Sequence, residues 1–366
     1  MEFCYKINSV FVLIDYKNPG YLNYFEKEFG LLKVENNTNA DKIKIHIVEQ
    51  RYVKGKNMKI ITDNLWIDEK ATIQKLQAFR REIWIRYNSI KDITLYLDYD
   101  VNEKIERFLN PFYESRAIAC LNDFFHNAFL IILQLNLINC NGALLHCSSF
   151  IDIERNYMYT LCGTGQVGKS TLMQAILEDG KRYNYCAEDF AVVFSDGMLY
   201  GYPHECRVKE SFFQDPLYYD MNSPPSLGDR INYFVYHKIL KRGNGRHFAV
   251  RALFPKVQFQ SFGALNDVYL LNRDSDEFLC EAISLEDFVS MQKQILSTEF
   301  SNMVMVRELL IAFKHIEFID YDFEELMSRI TKIYEKAFSH NVIIYQVYLP
   351  IYPDVHDATR KLIERK

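Results

Sequence analysis

The pattern that most limits what this chain can fold into is Gly163-Thr164-Gly165-Gln166-Val167-Gly168-Lys169-Ser170, followed by Thr171. It meets G-x-x-x-x-G-K-[ST] at every fixed position. Its flanks agree with it. Tyr157 to Cys162 predicts a short buried strand. Thr171 to Glu178 predicts a helix with Leu172, Ala175 and Ile176 on one face and Gly180 as its stop. Glycines let such a loop turn its N–H groups toward an anion, and the helix N-terminus adds partial positive charge. Lys169 is expected to reach the β- and γ-phosphates of a nucleotide, and Ser170 to hold Mg²⁺. The competing reading is a glycine-rich turn that happens to precede a helix.

Lys169 and Asp189 are separated by room for one helix and one strand. The strand Tyr183 to Ala187 would then deliver Glu188 and Asp189 close to where a γ-phosphate would lie. A carboxylate there can hold Mg²⁺ or take a proton from an attacking hydroxyl. Two adjacent acids in an extended segment point to opposite sides, so the pair is expected to divide these jobs. Two solvated acids in an ordinary turn would be the plain alternative. His146 lies in Leu144-Leu145-His146-Cys147-Ser148-Ser149, on a segment expected to pair beside the loop strand. By spacing alone a hydrogen-bonded core histidine competes with a functional one.

These residues carry a resemblance. Leu144 to Ser148, the strand ending in the glycine loop, and Ala187-Glu188-Asp189 resemble the catalytic domain of the HPr serine kinase/phosphorylase family. The likeness is closer to its broad set of HPr-kinase-like relatives, some of which phosphorylate peptide precursors. It covers roughly residues 140 to 260 and the closing strand and helix. Gly201-Tyr202-Pro203 and Arg207-Val208-Lys209 add to it. The resemblance implies an α/β fold: a P-loop kinase core shared with phosphoenolpyruvate carboxykinases, carrying here an N-terminal α+β domain. It implies that Gly163 to Thr171 bind ATP and Mg²⁺, with Ser170, Glu188 and Asp189 at the metal. Asp189 would be the base for the acceptor hydroxyl, with His146 near it and Lys169 on the phosphates. The acceptor would be a serine of a protein or peptide. Members of the family form ring-like or dimeric assemblies, which extends homo-oligomerisation to this chain as an expectation.

The chain departs from the family at three places. Glu188 stands where the family has a first Asp, Gln166 is bulky for the loop, and the phosphorylase-linked glutamate motif has no clear counterpart beyond Glu205. These weigh against phosphorolysis and against HPr as the acceptor. A small-molecule kinase and a catalytically inactive nucleotide-binding regulator stay open as alternatives. Asn272-Arg273-Asp274 lacks the lysine and spacing of a guanine-reading N-K-x-D.

Along the chain, residues 1 to 110 read as the α+β domain, with strands at Ser9 to Asp15, Ile43 to Val48, Met58 to Ile61, Ile83 to Tyr87 and Ile93 to Leu97. Residues 111 to 366 read as the catalytic domain. Pro111 to Leu137 predicts a long helix. Strands are expected at Ala143 to Phe150, Phe190 to Phe194, Met198 to Tyr202, Val257 to Phe262, Asp267 to Leu271 and Val342 to Leu349. Helices are expected at Ser284 to Leu296, Phe323 to Phe338 and His356 to Arg365. Met221 to Phe248, with Lys238, Lys241, Arg242 and Arg246 among glycines, reads as a basic loop able to close over phosphate. Arg207, Lys209 and Arg251 are weaker candidates for the same work.

A net charge of −5 gives no electrostatic footprint for nucleic acid or anionic membrane. Eight cysteines without C-x-x-C or zinc spacing predict reduced thiols and a cytoplasmic setting, with Cys162 as a buried filler. The start, Met1 to Lys6, lacks a signal-peptide layout. The greasiest run, Ala128 to Leu133, is expected to end at Gln134 and Asn136, too short for a bilayer.

Overall fold

Period-two alternation builds the first sheet. In β3 (Lys42–Val48), Ile43, Ile45 and Ile47 are buried and the residues between them are not. The structure, a computed structural model, describes residues 1–55, 58–78, 81–98, 116–165, 167–178, 180–202, 206–208, 246–248, 256–302, 306–350 and 354–364. With β1 (Glu2–Ile7), β2 (Val10–Asp15), β4 (Lys59–Thr62), β5 (Leu65–Ile67), β6 (Thr72–Ala78), β7 (Arg81–Ser89) and β8 (Asp92–Tyr96), β3 forms an eight-stranded sheet. Its order is β1-β2-β3-β8-β7-β6-β5-β4. The β2–β3 and β3–β8 pairs are parallel and the rest antiparallel. The parallel β2–β3 crossover holds the helix Leu22–Phe29, which packs Phe29 flat on Tyr5 at 4.6 Å. That helix and strands β1, β5 and β6 go beyond the sequence expectation. All three residues of β5 are buried, so it carries no alternation to read.

The second sheet is also mixed. It contains β9 (Gly142–Asp152), β10 (Tyr157–Cys162), β11 (Tyr183–Ala187), β12 (Phe190–Phe194) and β13 (Met198–Gly201). A separate pair, β14 (Cys206–Val208) and β15 (Arg246–Phe248), follows before β16 (Phe262–Ser275), β17 (Leu279–Ala282) and β18 (Ile343–Pro350). β10 pairs antiparallel with β9 on one edge and parallel with β16 on the other. Strands β9, β12, β13, β16 and β10 therefore close a ring, and β18 extends it in parallel from β16. Val257 to Phe262 and Asp267 to Leu271 are not two strands. β16 runs unbroken through Asp267, whose buried carboxylate accepts from the hydroxyls of Tyr157 at 2.6 Å and Tyr269 at 3.1 Å. The segment before it joins β11 through a Tyr185–Phe259 bridge.

Between the sheets lies a helical rod: Arg116–Asp123, a π-helical turn at Phe124–Ala128, and Phe129–Leu137. The expected start at Pro111 lies outside the described residues. The rod does not stop at Gln134 or Asn136. Gln134 accepts from the Leu144 N–H at 2.7 Å, and Asn136 donates to the carbonyls of Ile90 and Ile132 at 2.9 Å, so each polar side chain has a partner inside the protein, although Gln134 Nε2 and Asn136 Oδ1 have none among the described residues. Ala117–Cys140 is therefore long and apolar enough to cross a membrane, contrary to the short run expected, and 72% of its apolar window is buried within the protein.

One apolar core joins both sheets through this rod, with Ile45, Phe125, Leu144, Val192 and Phe313 among its members. Phe29 meets Tyr202 at 6.1 Å and Tyr87 meets Phe313 at 5.1 Å, across the boundary expected near residue 110. A second core, including Leu161, Met173, Tyr269, Val347 and Leu362, fills the other face of the second sheet under the helices Lys169–Leu177 and Val355–Ile363. The helices Leu285–Asn302, Val306–His315 and Phe323–Phe338 complete the fold; the first is longer than expected and the second was not anticipated.

Candidate active site

The glycine loop leaves the end of β10 and enters the helix Lys169–Leu177 directly. Gly163 has φ +147° and Gly168 has φ +109°, values that L side chains rarely adopt. A Cβ at Gly163 would also lie 2.8 Å from Val167 Cγ2 and 2.9 Å from the Leu271 carbonyl. The N-cap is Gly168, with no side-chain cap bond, and a helix start of this kind turns its first N–H groups toward an anion. Lys169 is buried, and its ammonium donates to the carbonyls of Gly163 at 2.9 Å and Thr164 at 3.0 Å. The cation is thus curled into its own loop. Thr164, Gly165 and Thr171 are exposed and Ser170 is half-buried. Gln166 lies outside the described residues.

β11 and β12 run as one line antiparallel to β9, broken at Glu188-Asp189. The Phe190 N–H donates to the Glu188 carbonyl at 2.7 Å across Asp189, whose φ is +66°. This is a γ-turn of the strained, positive-φ kind. The two acids therefore do not sit in an extended segment, as their sequence suggests. They still part company: Glu188 is 3% exposed, whereas the Asp189 side chain is 48% exposed.

Among the described residues Glu188 Oε2 has no partner in hydrogen-bonding geometry, although the Ser170 and Ser148 hydroxyls lie close enough to act on the carboxyl. Burial pushes this carboxyl up to about 7. The Ser170 hydroxyl opposes the shift, the charge of Asp189 adds to it, and the Ser148 hydroxyl and Lys169 lower it again. Ser170, Lys169 and Glu188 thus share one electrostatic environment. Ser148, two residues from His146 on the same face of β9, also has a buried hydroxyl without a completed hydrogen bond.

His146 is buried and stacks on Phe190 with ring centroids 5.3 Å apart. Its Nε2 lies 3.1 Å from Asp189 Oδ1. Its Nδ1 lies 3.2 Å from Glu299 Oε1, within ion-pair range but out of line for a straight hydrogen bond. Burial presses the imidazole pKa down, but the hydrogen bond to Asp189 and the close carboxylate of Glu299 outweigh it, so the net shift is upward. Glu299, on the helix Leu285–Asn302, was not anticipated. Only the pairing of that helix with β9 in space identifies it, because its local sequence is that of any amphipathic helix.

Ser170 and Glu188 are the oxygen donors that would hold an oxygen-seeking cation here. Among the described residues no cluster of three or more His, Cys, Asp or Glu could hold a metal alone. A metal here would need further oxygens, such as those of phosphates. Cys162 is fully buried, with its thiol pushed well above the ordinary value by burial, as a filler would be. The basic run from Lys238 to Gly245, Glu205, Lys209 and Arg251 lie outside the described residues. No known protein-family profile and no curated protein sequence matches the chain.

Proposed function

We propose that this protein is an ATP- and Mg²⁺-dependent kinase that transfers the γ-phosphoryl group to a serine hydroxyl of a protein or peptide. We place it with the HPr-kinase-like enzymes, on a nucleotide-binding core of the phosphoenolpyruvate carboxykinase type. One observation carries this reading. The loop residues Lys169 and Ser170 share their surroundings with Glu188, and the next residue, Asp189, turns a half-exposed carboxylate outward onto His146.

On this reading Gly163 to Thr171 cradle the phosphates, and Lys169 leaves the loop carbonyls to meet them. Ser170 and Glu188, with Asp189 beside them, would hold the metal, which would supply neutralising charge when bound. Asp189 accepts the proton of the acceptor hydroxyl as the serine O–P bond forms and the β–γ bridging P–O bond breaks. His146, pinned between Asp189 and Glu299, fixes the rotamer of that carboxylate.

The test is to incubate the chain with γ-labelled ATP and Mg²⁺, first with serine peptides and then with sugars and nucleosides. Phosphoserine in a peptide is expected. Label confined to a small molecule would replace the acceptor class, and no transfer to any acceptor would remove the kinase reading.

A further inference from the structure

The outer face of the N-terminal sheet carries a second piece of chemistry. Register places Ile60, Trp66, Ile73 and Arg86 in one row and Lys75, Trp84 and Tyr96 in the next, all on the face turned away from the shared core. Trp66 and Trp84 meet at 5.2 Å. Tyr52, on the segment that follows β3, stacks on Trp84 at 5.1 Å and meets Tyr96 edge-on at 4.9 Å. This is a cluster of four aromatic rings around one point. That point is occupied by a cation: Lys54 Nζ lies 3.7 Å from the Trp66 ring centroid and 5.2 Å from that of Trp84.

The other cations on this face have carboxylates. Arg86 pairs with Asp68 at 2.8 Å and Lys75 with Glu82 at 2.6 Å. Lys54 has no ion-pair partner among the described residues, and it is exposed. Its charge is held by ring faces alone. Next to the rings runs β4, an edge strand. Among the described residues no strand pairs with its outer edge, and Ile60, directly opposite Trp66, is 71% exposed. An edge of this kind offers free N–H and C=O groups to another extended chain.

We propose that this face is a docking site for an extended polypeptide carrying a lysine or arginine, which pairs along β4 and places its cation over Trp66 and beside Trp84, where the Lys54 ammonium now lies. Lys54 is the resident stand-in for that cation and gives way to it. The two features are complementary. The strand edge supplies main-chain affinity without sequence choice, and the aromatic cage supplies the choice of a positive side chain. Lys54 is an exposed residue, so a competing cation can reach the place it fills. The site is independent of phosphoryl transfer and would stand if the kinase reading fell.

Trp66 and Trp84 are the two tryptophans of the chain, so emission excited beyond the tyrosine band reads this face alone. In the full chain, Lys54→Ala should change that emission. N-acetyl-lysine methylamide should reverse the change saturably, and the norleucine counterpart should not. A six-residue threonine–valine peptide with one central lysine should bind Lys54→Ala about fivefold more tightly than wild type, because the competing cation is gone. Methylating alternate amides of that peptide should weaken it. Equal responses to lysine and norleucine probes, or a Lys54→Ala variant unchanged in emission and peptide affinity, would overturn the cage. Indifference to amide methylation would overturn pairing along β4.

Discussion

The two sheets of this protein are each mixed, and they share one core, yet they bury different things. Among the described residues of the N-terminal sheet and its helix, Glu28 is the only buried charged group, beside Thr72 and Gln74. The second sheet buries His146, Asp152, Lys169, Glu188 and Asp267. Most of these are satisfied: Asp152 accepts from Arg182 at 3.0 Å and Asp267 accepts from two tyrosines. Glu188 and His146 are different, since among the described residues Glu188 Oε2 and His146 Nδ1 have no hydrogen-bond partner. Burying an unpaired charge is costly, so a fold keeps one where it has a use for it. The strained turn at Asp189, one residue on, points to the same place. The comparison teaches that the chemistry of this chain is concentrated where β9 meets the break between β11 and β12, and that the first sheet contributes framework and a separate docking face.

The strongest way to break the comparison is truncation. Removing residues 1 to 110 takes Phe29 from Phe125 and Tyr202, and Tyr87 from Phe313. The remaining chain is expected to lose its cooperative thermal transition, followed by near-ultraviolet circular dichroism. A cooperative melt with retained ATP binding would make the second sheet an independent unit.

A smaller effect is expected at the loop. Lys169→Ala should weaken Mg²⁺·ATP binding about 100-fold by calorimetry, as charge-assisted bonds to phosphate are lost. Equal affinity in both proteins would detach the glycine loop from nucleotide binding.

Glu188→Gln sharpens the comparison by pH. The carboxyl is raised from its ordinary 4.5 to about 7 in the folded chain. As pH rises through that window the unfolded chain ionises first, so this group lowers stability progressively, and its full cost is present above about 7. The variant should be more stable than wild type by about 3 kcal/mol near pH 8, with the difference gone below about pH 4.5. Denaturant unfolding across that range measures it, and a pH-independent difference would mean that Glu188 does not titrate as its surroundings require.

The mildest change belongs to the first sheet. The buried Tyr87 hydroxyl donates to Gln74 Oε1 at 2.7 Å. Tyr87→Phe should cost about 1 kcal/mol, equally at about pH 5 and pH 8, and leave nucleotide affinity alone. A pH-dependent loss would erase the contrast between the sheets.

Much of this was legible in the sequence, for local reasons. The glycine loop announces itself because backbone conformation fixes Gly163 and Gly168. His146 lies within a strand, and the acids directly follow one, whose apolar runs are easy to read. The γ-turn at Asp189 was not legible, since no glycine or asparagine marks its positive φ. Glu299 was hidden because it lies on a helix distant in sequence from His146. The aromatic cage was hidden for the same reason, being assembled across β5, β7, β8 and the segment after β3 by register alone. Long-range pairing made these features, and no short window contains them.

The most direct test of the central claim compares wild type with Asp189→Asn for Mg²⁺·ATP affinity and for slow release of the γ-phosphate, with water as the default acceptor. The account predicts similar affinity in both and at least about 100-fold slower release in the variant, the usual loss when a positioned base is removed. Equal release in the two proteins would contradict it.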